Sequence, residues 1–176
     1  MLTSQRIIDT INEQIGNEFS AMLQYTAIAA HFDSETLPEF AAYFRRQAEE
    51  EKEHAHRFIQ YVLDTGGKVA IPAVAAPIGQ FNFAEDAVKL SLEQEKTVTA
   101  QVNALVQLAK QENDYMTDTF LHWFVTEQLE EVASMDDLLN IVQRAGEGNL
   151  LRVEDYLARK YGPSGNSRFV AAGDND

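Results

Sequence analysis

Glu51 and His54 stand three residues apart in the run EEEKEHA (49–55), a spacing that sets a carboxylate and an imidazole on one face of a helix. Around them Phe44, Ala48, Ala55 and Phe58 recur at helical spacing, so Glu51 falls where a core-facing apolar residue belongs. Three other stretches repeat the anomaly. One stripe runs Ile11, Ile15, Glu18, Met22, Tyr25; a second runs Val88, Ser91, Glu95, Val98, Val102; a third passes Phe120 and Trp123 or Phe124 to Glu127, then Glu130 and Glu131, then Ser134. Burying several carboxylates together is strongly unfavourable unless positive charge holds them, and no lysine or arginine lies in these stripes. A pair of metal ions answers the need. Donors that are nearly all carboxylate with one imidazole suit iron or manganese better than zinc.

The elements that must position these residues are helices. Apolar residues three or four apart predict a first helix over 5–32. Ser34 breaks it, and Pro38 opens a second that ends at Gly66-Gly67. The stretch GGKVAIPAVAAPIGQFNF (66–83) has no helical period and should run extended. A third helix continues to a turn at Asn113-Asp114, a fourth stops at AGEGN (145–149), and a short fifth covers 150–161. This is an all-α chain, predicted as a four-helix bundle with a long crossover between the second and third helices and a short fifth helix. A helix of roughly 28 residues spans about 42 Å, and eighteen extended residues reach about 60 Å, so the crossover can return along the whole bundle. Residues 1–162 are expected to form the bundle and 163–176 a polar tail.

The levels of the acids agree. Glu18 lies seventeen residues before the first turn at Glu35 and Glu51 sixteen after it; from Asn113 the offsets are eighteen to Glu95 and fourteen to eighteen for Glu127 to Glu131. At about 1.5 Å per residue the mismatches stay within roughly 6 Å, so the four helices bring their acids into one layer. A lone Glu-x-x-His is more often part of a solvated acidic face; the coincidence on four helices turns the reading toward metal.

The 176 residues include no cysteine, which removes disulfides and thiolate metal sites, and 28 acidic against 14 basic residues leave a net charge of −14. That charge repels nucleic acid and anionic lipid, and no stretch is apolar enough to span a bilayer. The reading is therefore of a soluble cytoplasmic protein with no nucleic-acid or membrane partner.

The segments NEFSAMLQY, EEEKEHA, SLEQEKTV and HWFVTEQLEE resemble the ferritin family, and specifically the haem-free bacterial ferritins, over nearly the whole chain. The resemblance implies that Glu18, Glu51 and His54 hold a first iron and that Glu51, Glu95 and Glu131 hold a second, with Gln128 near the centre. Glu50 with Glu127 and Glu130 resembles a third iron site of bacterial ferritins. It further implies ferroxidase activity with dioxygen or peroxide, storage of ferric oxyhydroxide mineral, and a homo-oligomeric shell of twenty-four chains. Tyr25, two turns beyond Glu18, resembles the family tyrosine that donates an electron during oxygen reduction; as a plain core residue it would hydrogen-bond a carboxylate. Trp123 carries at most a minor redox role. Bacterioferritins, by contrast, carry a second Glu-x-x-His and a haem-binding methionine on the second helix. Here Glu127-x-x-Glu130 stands for the former and Lys52 follows Glu51, so no haem is expected. His31, His56 and His122 read as structural or exposed, and Glu49 and Glu53 as solvent-facing.

Overall fold

The computed structural model describes residues 2–162; the expected tail over 163–176 lies outside the described residues. Five α-helices follow one another: α1 (Gln5–Ser34), α2 (Pro38–Asp64), α3 (Ala84–Gln111), α4 (Tyr115–Ala145) and, after a 3-10 turn at Glu147–Asn149, α5 (Leu150–Tyr161). Among the described residues there is no strand, and α1 pairs with α2 and α3 with α4. The chain is a four-helix bundle with a fifth helix set against its end.

Local chemistry explains the boundaries. Ser4 caps α1 by accepting from the Ile7 amide at 3.2 Å, and Asp114 caps α4 by accepting from the Thr117 amide at 3.0 Å. The α1–α2 turn uses Thr36 at φ 61° and the α3–α4 turn Asn113 at φ 55°, both left-handed. The start of α2 has Pro38 at its first position and no side-chain cap of its own. Its free amides are taken from a distance: buried Glu154 of α5 accepts from the Glu39 and Phe40 amides at 2.9 and 2.8 Å. That carboxylate fixes α5 to the end of the bundle, where Val153 and Leu157 join the core.

Two apolar clusters fill the interior. One, at the α5 end, holds Ile28, Phe32, Phe40, Phe44, Val88, Met135 and Leu138; the other holds Ile8, Ile11, Phe58, Val62, Val102, Leu105 and Phe124. The buried acids of the four stripes lie in sequence between the two sets, so the core is interrupted at mid-height by a polar layer.

The crossover (66–83) runs extended and is held along α1. Asn12 donates to the Lys68 carbonyl and accepts from the Ala70 amide, both at 3.0 Å. Gln24, three turns on, donates to the Ile78 carbonyl at 2.7 Å and accepts from the Ile78 amide at 2.9 Å. The crossover therefore follows α1 in the same direction, and α3 starts at the end where α2 started, so α2 and α3 are parallel. Between the two amide clasps, a Cβ on Gly16 would stand 2.3 Å from Cγ of Pro72. Gly16→Val is expected to lower stability by about 1–3 kcal/mol, as overpacking does. It should also speed proteolysis within 68–78; an unchanged thermal midpoint and cleavage rate would show that the crossover is held elsewhere.

Candidate metal centre

The helical period places six polar side chains at the junction of the two apolar clusters: Glu18 from α1, Glu51 and His54 from α2, Glu95 from α3, and Gln128 and Glu131 from α4, none more than 3% exposed. The structure sorts the titratable residues of this region into three groups whose ligand atoms lie within 4.8 Å of one another. The first is Glu18, Glu51 and His54; the second is Glu51, Glu95 and Glu131; the third is His54, Glu127 and Glu131. Glu51 belongs to the first two and is the side chain best placed to bridge them.

Hydrogen bonds fix the donors. Gln14, one turn before Glu18, donates to Glu18 Oε1 at 2.8 Å and also reaches Gln101 at 3.3 Å, while Glu18 Oε2 is buried with no partner. The Tyr25 hydroxyl donates to Glu95. Gln128 Nε2 donates to Glu95 Oε2 at 3.1 Å and to the Thr99 hydroxyl at 3.3 Å. His54 turns Nδ1 to Glu51 at 3.2 Å and Nε2 to Glu131 at 3.6 Å. Burial pushes the His54 imidazolium down to about 4, with the Arg57 charge adding to it, so the ring is neutral at pH 7 and these are not ion pairs. A neutral ring keeps a lone pair for a cation.

The acids are poised in the opposite sense. Burial raises Glu18 to about 7 against the lowering effect of its hydrogen bonds with Glu51 and Gln14. Burial, and then the charges of Glu95 and neighbouring carboxylates, carries Glu51 and Glu131 well above the usual carboxylate range. Burial and the surrounding carboxylates likewise hold the Tyr25 phenol well above its ordinary value. Without a cation, several of these acids therefore keep their protons near neutral pH. A divalent cation entering the layer must displace them.

Of the residues named for a third iron site, Glu50 feels the charge of Glu127, and Glu127 that of Glu130. Glu127 is half-buried and joins His54 and Glu131; Glu50 is half-buried, accepts from Gln47, and is raised to about 7 by burial, but falls in none of the groups; Glu130 is exposed and also outside them. Trp123 is half-buried with its ring edge-on to His54 at 5.4 Å. His56 and His122 are exposed, as are Glu49 and Glu53, and His31 is buried between Phe32 and Phe81. Sequence reasoning missed Gln14, Thr99 and Gln101. For Gln14 a signal existed, since it precedes Glu18 by one turn on the same face.

Comparison with known proteins agrees with this fold. The family model for the ferritin-like domain matches residues 8–145. The chain is 41% identical over 169 residues to Ferritin BfrB of Mycolicibacterium smegmatis, covering 93% of each chain. It is 36% identical over 146 residues to a bacterial non-heme ferritin of Staphylococcus aureus, covering 83% of this chain and 88% of the other. Among solved structures it superposes on an open-pore ferritin from the hyperthermophilic archaeon Archaeoglobus fulgidus with a TM-score of 0.85 at 34% identity, covering 88% of this chain and 96% of that one.

Proposed function

The chain belongs to the ferritin family, and from that premise we propose that it is a cytoplasmic, haem-free ferritin that oxidises Fe(II) and stores the ferric product as oxyhydroxide inside a shell of twenty-four copies. The bundle of residues 1–162 is the working unit, with iron as substrate and cargo. The observation that carries this reading is the pair of buried ligand groups sharing Glu51. Two iron ions bound there would share Glu51 as a ligand and would both be able to pass electrons to one oxidant. Glu18 and His54 hold one ion, Glu95 and Glu131 the other, and Gln128 orients Glu95. Over two rounds four Fe(II) give up four electrons to one dioxygen, which takes four protons to become two waters.

The chain's own groups supply what that chemistry needs. Neutral His54 offers nitrogen, Glu18 offers an oxygen with no other partner, and Tyr25 stands hydrogen-bonded to Glu95 as a local source of an electron and a proton. The half-buried acids Glu50 and Glu127, with exposed Glu130, give oxidised iron a carboxylate path out of the layer. Lys52, exposed and paired with Glu49 at 3.0 Å, presents an ammonium where bacterioferritins present a haem-binding thioether.

Aerobic loading of the purified protein tests the reading. Oxygen uptake should accompany ferric absorbance, light scattering should report a shell, and iron retained after gel filtration should exceed the ligand groups per chain many times over. A few ions per chain would indicate a free di-iron oxidase of rubrerythrin type. Oxidation no faster than in buffer would indicate a catalytically silent subunit.

A further inference from the structure

Two oxidisable rings flank the acid layer, and they lie in opposite electrostatic settings. Tyr25 is fully buried and donates its hydroxyl hydrogen bond to Glu95. When it gives up an electron, its phenolic proton has a carboxylate waiting. Trp123 is edge-on to His54 at 5.4 Å, which puts it beside the same centre. Its other neighbour is a cation: the Arg57 guanidinium lies 4.1 Å from the ring centroid. Glu127, one turn along α4, interacts with the same guanidinium and offsets part of its charge, leaving the cation nearest the ring. A cation over an aromatic face is attracted to the ring's electrons and repelled by the ring once an electron has left.

We propose that Arg57 is a specificity-determining residue that keeps Trp123 reduced and so reserves electron donation for Tyr25. This rests on the ferroxidase reading above for the source of oxidant. The permitted step is Tyr25–OH giving its proton to Glu95 and its electron to the dioxygen or peroxide being reduced at the iron pair, leaving a neutral phenoxyl. The step held back is the loss of one electron from the Trp123 indole to the same acceptor, which would leave an indole radical cation facing the guanidinium.

The chain has a single tryptophan, so indole fluorescence and indolyl absorbance report Trp123 alone. Three assembled proteins are compared: wild type, Arg57→Lys, which keeps a cation over the ring, and Arg57→Met, which keeps much of the stem and loses the charge. After a fixed number of aerobic Fe(II) additions, peptide mass spectrometry should find oxidised Trp123 increased roughly fivefold or more in Arg57→Met and within about twofold of wild type in Arg57→Lys. In a second arm, the metal-free assemblies meet the neutral azidyl radical in pulse radiolysis, and the Met variant should again oxidise faster at Trp123. Equal oxidation in all three proteins overturns the proposal, as does a Lys variant that behaves like Met, which would mean shielding by the guanidinium's bulk. Should wild type fail to oxidise Fe(II), the ferroxidase reading falls, while the radical arm still decides whether Arg57 protects the ring.

Discussion

Glu51→Ala should lower the initial rate of Fe(II) oxidation by roughly a hundredfold or more, to near the rate of iron in buffer, because one substitution takes a donor from both ligand groups at once. The remaining side chains would serve two sites with two donors each: Glu18 and His54 on one side, Glu95 and Glu131 on the other. Neither pair is enough to hold an ion against water, and nothing then fixes the distance between ions. Glu51→Gln answers the objection that alanine leaves a hole in a fully buried layer, since it preserves volume and removes the bridging charge; it should be as slow. The counter-example is Glu130→Ala, at an exposed residue outside all three groups, which should keep initial oxidation within about twofold of wild type. Stopped-flow ferric absorbance with oxygen uptake measures all three. A Glu51→Ala protein that oxidises iron within tenfold of wild type would remove the bridge from the mechanism and leave two independent mononuclear sites.

Why so much of this layer could be read from the sequence, and some could not, follows from the physics of each feature. A 3.6-residue period determines which residues of a long helix share a face, so Glu18, Glu51 and Glu95 stand out as acids in apolar stripes. Near-equal counts from the two tight turns then place them at one height. On the fourth helix the same period leaves Glu127, Glu130 and Glu131 within about a turn of each other, and only the rotation of α4 against its neighbours decides that Glu131 is buried and Glu130 exposed. That rotation is set by contacts from distant parts of the chain. The same reason explains Met22, which reads as part of the first stripe yet is half-buried, with Ala21 turned to the core instead while Tyr25 is buried as read. The amide clasps of Asn12 and Gln24, the cap lent by Glu154 and the guanidinium over Trp123 join residues on separate elements, and no local spacing announces them.

Glu18→Gln/Glu51→Gln/Glu131→Gln protein, free of metal at pH 8, is expected to be more stable than wild type while unable to oxidise iron. The acid layer exists for a cation, and without one it is a liability. The Glu18 carboxyl has its folded value raised from 4.5 to about 7, so the stability of its neutral form is fully present below about 4.5 and is lost as pH rises through about 7. That loss is on the order of 3 kcal/mol from Glu18 alone at pH 8, and Glu51 and Glu131 shift in the same direction. His54 works the other way, its neutral ring favouring the fold above 6.5 and losing that advantage as pH falls through about 4, but it is the same in both proteins and cancels. Glutamine is neutral at every pH, so the variant's advantage should be large at pH 8 and fade toward pH 4.5. For a chain of this size 1 kcal/mol moves the midpoint by about 2–4 °C, which makes the effect easy to see by calorimetry. Redox-inert Co(II) should narrow the gap: at about a hundred times its dissociation constant it should add about 2.7 kcal/mol to wild type and nothing to the variant. If the variant were instead less stable at pH 8, the wild-type carboxylates would be mutually satisfied without metal. The layer would then be structural in its own right, and the need for cations that follows from burying it would disappear.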